Sequence, residues 1–104
     1  MHATIRRYEG IDQRRTDELV KNVGEKLLPR LSEMPGFKSY HLIEADSGVM
    51  SSIDFFDTSA QADESTRVAA AWVREEKLDT ALPNPPKVTG GEVIVEKTNE
   101  LVRV

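Results

Sequence analysis

At 104 residues, with 38% hydrophobic and 31% charged side chains, the chain has the size of one domain, since two cores would starve each other. It contains no cysteine, which excludes a disulfide framework, a thiol nucleophile, cysteine-ligated zinc and iron–sulfur clusters. A formal net charge of −4 without a lysine or arginine block argues against a nucleic-acid or anionic-membrane surface, and no apolar run is long enough for a transmembrane helix or signal sequence, so a cytoplasmic location is expected.

Residues 3–8 (ATIRRY) mix β-branched and aromatic side chains with arginines ahead of the breaker Gly10, and read as a first strand. Asp12 can cap a following helix, whose apolar positions Leu19, Val20, Val23, Leu27, Leu31 and Met34 recur at spacings of three and four. Pro29 lacks an amide hydrogen and disfavours helical geometry at Leu28, so a kink or a restart with Pro29 in its first turn is predicted. Pro35-Gly36 ends that helix. Residues 37–44 (FKSYHLIE) form a second strand, and the polar stop Asp46-Ser47-Gly48 predicts a hairpin to a third at 49–56 (VMSSIDFF). Thr58 with Gln61 has the form of a capping box before a helix over 60–77, free of glycine and proline, with Val68, Ala69, Trp72 and Val73 as its apolar stripe. Residues 79–91, with Pro83, Pro85, Pro86 and Gly90-Gly91, read as an extended loop of the kind that covers a site or links parts. A fourth strand is expected at 92–97 (EVIVEK), with residues 101–104 able to add a short further segment.

The order β-α-β-β-α-β is that of a ferredoxin-like α+β sandwich: an antiparallel sheet with two helices on one face, here a single domain over 1–104 with its regular core at about 3–97 and a tail at 98–104. Both faces of the hairpin carry large apolar groups, Met50 and Phe56 on one and Val49, Ile53 and Phe55 on the other. Two helices cover one face only. A homodimer through the second sheet face follows, because burying even ~400 Å² of apolar surface per chain contributes about 10 kcal/mol before association costs.

His41 is the histidine inside a predicted element, and its ordinary titration near neutrality suits a general base. The plain alternative is a strand histidine satisfied by a backbone or serine partner. Asp54, between Ile53 and Phe55, is costly to bury unpaired. If Glu44 pairs with Val49, His41 faces Ser52 and shares a face with Asp54; a one-residue bulge at Gly48 separates them. Alternatively Asp54 sits near the sheet edge or pairs with a first-strand arginine, since Arg6 and Arg7 point to opposite faces and one of them reaches inward. Trp72 can wall a pocket or simply pack the core, with Met50, Phe55 and the alanines 69–71 around it. Tyr40 and Arg67 can offer a phenol and a cation to an oxygen-bearing ligand, or be surface groups. Two histidines without metal-ligand spacing predict no bound metal. No Gly-rich nucleotide or serine-hydrolase motif occurs, and the third strand lacks the basic start of an RNA-binding sheet.

The run Glu33-Met34-Pro35-Gly36-Phe37, the strand Ser51-Ser52-Ile53-Asp54-Phe55-Phe56 and the helix segment 63–73 (DESTRVAAAWV) resemble the small dimeric α+β-barrel proteins grouped with the antibiotic biosynthesis monooxygenases, most closely bacterial members of unknown activity. The resemblance spans roughly residues 3–97. It implies two sheets packed face to face, helices outside, and a pocket in each subunit between sheet and helices. Its members include cofactor-independent oxygenases, haem-degrading enzymes and proteins without known activity. No cofactor is expected here, since residues 59–78 hold no histidine where the haem-degrading relatives carry their axial ligand. In an oxygenase of this kind the anion of a phenolic or enolic aromatic substrate reduces dioxygen directly. His41 or Asp54 would be the base, Arg67, Tyr40 or the Trp72 N–H would hold the oxyanion, and the loop over 83–91 would close the mouth. The alternatives are a non-catalytic dimer that binds a small apolar or aromatic metabolite or serves as a stress-associated binding module, and a purely structural dimer.

Overall fold

Alternation governs β1 (His2–Tyr8), where Thr4, Arg6 and Tyr8 point inward and Ile5 and Arg7 outward. The computed structural model describes residues 1–99. The Met1 ammonium lies 2.9 Å from Glu92 Oε1. Asp12 accepts from the Arg14 amide at 3.1 Å, capping a single 3₁₀ turn, Gln13–Arg15. Next come α1 (Thr16–Asn22), a π turn (Val23–Leu27) and α2 (Leu28–Ser32), continuous in sequence. Pro29 accounts for the π turn. In a regular helix its ring would meet the Glu25 carbonyl; instead the Leu28 amide donates to Val23, five residues back, and the wider turn makes room. Leu19, Val23, Leu27 and Leu31 are buried along these segments, while Val20 of the expected stripe faces solvent.

Strands β2 (Phe37–Ala45) and β3 (Val49–Phe56) form the expected hairpin in a different register. Ala45, not Glu44, lies opposite Val49, so His41 faces Ile53 and Tyr40 faces Asp54. The cause is the connection: Ser47 and Gly48 both take left-handed φ values, 64° and 76°, and the Gly48 carbonyl accepts from Ile11 at 3.0 Å. An irregularity between Phe37 and Ser39 then lets Phe37 turn inward onto Phe56, their rings edge to face at 5.7 Å. The capping box of α3 (Ser59–Glu75) forms as expected, Gln61 amide to Thr58 Oγ1 at 3.2 Å and Thr58 amide to Gln61 Oε1 at 3.1 Å.

The fourth strand is displaced. It is β4 (Lys87–Glu92), antiparallel to β1, and takes in the Gly90-Gly91 pair that composition assigned to a loop. The run EVIVEK has strand composition, but the pairing with β1 stops at Glu92, which lies opposite His2, and the next hydrogen bond runs from the Val93 amide to the Met1 carbonyl. Ile94 and Val95 accordingly stand 89% and 86% exposed. The further segment expected at 101–104 lies outside the described residues.

The sheet order is β2-β3-β1-β4, all pairs antiparallel, with the helical segments packed on one face: a ferredoxin-like α+β fold. Leu19, Leu27, Leu31, Met50, Trp72 and Leu78 fill the space between helices and sheet. The other face carries the half-buried Ile53 and Phe55, with Ile5 and Ile43 exposed. No helix among the described residues is long and apolar enough to cross a membrane.

Candidate ligand pocket

Period-two alternation places Arg6 of β1 and Asp54 of β3 on the inward face, beneath α3. Arg6 Nη2 donates to Asp54 Oδ2 at 2.5 Å, with the side chains 1% and 0% exposed. Arg6 Nη1 donates to Ser65 Oγ at 3.3 Å and to Thr66 Oγ1 at 3.1 Å, so one turn of α3 completes the coordination of the guanidinium. Such a pair is tolerated in a core because additional hydrogen bonds offset part of the desolvation cost. Asp54 Oδ1 and Ser52 Oγ, both buried, have no protein partner.

Beside Arg6 opens a cavity of about 440 Å³. Its floor is Arg6 and Tyr8, one wall is Thr66, Ala70 and Val73 of α3, another is Val88 of β4, and Leu82, Asn84, Pro85 and Pro86 form the rim. Asn84 fastens this proline-rich rim by donating from Nδ2 to the Glu9 carbonyl at 3.0 Å. The volume and the mostly apolar lining suit a small organic ligand with one polar end. Burial raises the Tyr8 phenol above its ordinary range, against the pull of the Arg6 charge beside it. Burial likewise pushes Tyr40 up to about 12, again opposed by Arg6.

The seven side chains singled out from sequence lie elsewhere. His41 is exposed on the outer face, its ring 6.3 Å from that of Phe55, and the two border a shallow depression with Lys38, Val93 and Val95. The sheet therefore separates His41 from Asp54. Met50 is core. Trp72 is core as well, 3% exposed, and its indole N–H is already engaged by Asn22 Oδ1 at 2.7 Å. Arg67 stands in solvent on Glu64 at 2.7 Å. Tyr40 packs partly buried across from Asp54, outside the cavity lining. Asp54 reaches the cavity only through Arg6, the first-strand partner that the sequence offered as one alternative; β3 is an inner strand, so the sheet-edge alternative does not hold. Of the residues that do line it, Arg6 and Tyr8 carried one signal in advance: alternation along the first strand groups them on a single face, whereas nothing in the sequence marked Thr66.

No protein-family model matches the sequence, and no curated protein matches it either. Solved structures do share the fold. A protein of unknown function from Nitrosomonas europaea superposes with a TM-score of 0.73 at 19% identity, over 94% of this chain and 93% of that one. The ActVA-Orf6 monooxygenase of Streptomyces coelicolor, in complex with the ligand nanaomycin D, gives 0.70 at 16% identity, over 95% and 92%. A dimeric ferredoxin-like protein from an uncultured marine organism gives 0.70 at 14% identity, over 95% and 92%. An antibiotic biosynthesis monooxygenase is also among these neighbours. At such identities the likeness is one of fold, and the fold is that of the family which the sequence resembles.

Proposed function

We propose that the chain is a monooxygenase-like protein that holds a small phenolic or enolic aromatic compound in the cavity between α3 and the sheet. One observation carries this reading: an apolar cavity of about 440 Å³ is lined by one buried arginine, Arg6, an arrangement that suits a flat ligand with one oxygen. A neighbour of the same fold is a monooxygenase with a ligand bound. In the reaction proposed, a substrate methylene activated by an adjacent enol or phenol gives up two hydrogens and four electrons to dioxygen. One oxygen atom becomes a carbonyl on that carbon and the other leaves as water. The electrons come from the substrate. Arg6 and Tyr8 face the substrate oxygen, Asp54 positions Arg6, and the rim from Leu82 to Pro86 excludes water.

Oxygen uptake with anthrone and related enolisable compounds that carry an activated methylene tests the reading. One ketone formed per dioxygen consumed supports it, and His41→Ala, on the far side of the sheet, is expected to leave the rate unchanged. The second reading, a non-catalytic binder, draws on the absence of any carboxylate or histidine among the described residues lining the cavity. Ligand binding without oxygen uptake selects it.

The outer face of the sheet supports a homodimer, with Ile5 and Ile43 exposed and Ile94 and Val95 adding apolar surface beside it. One structural neighbour is a dimer. A monomeric mass by light scattering at micromolar concentration would contradict this assembly.

A further inference from the structure

The cavity floor offers hydrogen-bond donors and no base. Arg6 lines the cavity, and Ser65, Thr66 and Asp54 engage three of its five N–H groups. Thr66 accepts from Arg6 through Oγ1, which turns its own proton elsewhere, and Tyr8 adds a phenolic O–H. The Asn84 amide nitrogen is engaged by the Glu9 carbonyl. The titratable groups facing Arg6 are Asp54 from β3, Tyr8 from β1 and Tyr40 from β2, while α3 presents the Ser65 and Thr66 hydroxyls and β4 presents Val88. Asp54 is sealed behind the guanidinium at 0% exposure, out of a ligand's reach.

A neutral phenol entering this site meets no group to take its proton. Its anion meets a guanidinium and two hydroxyls in dry surroundings, where charge-assisted hydrogen bonds are strongest. Resting on the pocket reading above, we infer that the cavity captures planar organic oxyanions, ligands already ionised in solution, with the ring against Val73, Pro86 and Val88 and the charged oxygen on Arg6. The substrate class narrows accordingly, from phenols and enols in general to those acidic enough to lose their proton before they bind. Arg6 selects the anion. Asp54 is a positioning residue, fixing the direction of the guanidinium without touching the ligand.

The test is calorimetric titration of the intact protein with 4-nitrophenol and with its methyl ether, 4-nitroanisole, from about pH 5.5 to about pH 8.5, across the ionisation of the phenol. Nitrophenol affinity is expected to rise roughly thirtyfold over that span and then level off, following the ionised fraction, with nitroanisole weak and flat throughout. Equal, pH-independent affinities for the two probes would overturn the anion assignment and leave the pocket reading standing. Binding of neither at millimolar concentration would overturn both. Arg6→Met alone strands the buried Asp54 carboxylate, so the variant to use is Arg6→Met with Asp54→Leu, its fold checked by circular dichroism. Loss of the pH dependence and a tenfold or greater fall in nitrophenol affinity is expected. A folded double variant that kept the pH-dependent preference would overturn the role given to Arg6.

Discussion

Arg6 and Asp54, 48 residues apart in the chain, meet as a buried ion pair. Removing one partner leaves the other charged and buried, so Asp54→Ala should cost about 3–5 kcal/mol in urea unfolding. Replacing both, as Arg6→Met with Asp54→Leu, should be close to neutral, because two desolvation costs disappear with the attraction. An Asp54→Ala loss below about 1 kcal/mol would contradict the buried geometry.

Gly36 and Gln61 are linked in a different way. Gly36 has φ of 79°, and a Cβ there would overlap Gln61 Oε1, the atom that accepts from the Thr58 amide. Gly36→Ala should therefore add the loss of a cap, about 1 kcal/mol, to a left-handed backbone cost of about 1–2 kcal/mol. Gln61→Ala removes both the clash and its half of the box. Chemical denaturation of the double variant should show it less destabilised than the sum of the singles, and strict additivity would count against this coupling.

Alkaline stability follows from the phenols. Tyr40 is pushed up to about 12 and Tyr8 is raised in the same direction, each mainly by burial, whereas in the unfolded chain both ionise near 10.0. As pH rises the unfolded state loses protons first. The stabilisation from neutral phenols is thus fully present below about pH 10 and is lost as pH climbs through about 12. The urea midpoint should fall between about pH 9 and about pH 11, and Tyr40→Phe should flatten that fall. Identical profiles for wild type and variant would remove Tyr40 as a source.

Trp72 and Ala70, two residues apart on α3, separate core from pocket. Trp72→Phe gives up the donation to Asn22, a loss of about 1 kcal/mol, and should leave nitrophenol affinity unchanged. Ala70 lines the cavity and is exposed, so Ala70→Phe should fill the space and abolish binding while stability moves by less than about 0.5 kcal/mol. Paired titration and denaturation of both variants checks this, and Ala70→Phe binding as well as wild type would exclude the cavity as the ligand site.

Contacts between near neighbours in the chain were legible before the structure. The Thr58–Gln61 box, the disturbance at Pro29, the hairpin at Asp46-Ser47-Gly48 and the alternation of Thr4, Arg6 and Tyr8 depend on backbone dihedrals and on side chains a few residues away. Only the tertiary structure decided the rest. Two left-handed residues in the hairpin loop moved the β2–β3 register by one, enough to put His41 on the outer face and away from Asp54. The fourth strand formed at Lys87–Glu92 and not in the apolar run after it, because a strand exists only where another backbone lies alongside, and β1 lies alongside residues 87–92. Between Arg6 and Arg7, alternation required one to face inward. That the inward one meets a carboxylate from β3 and two hydroxyls from α3, and so borders the cavity, depends on lateral packing between segments distant in the chain, which no local pattern encodes.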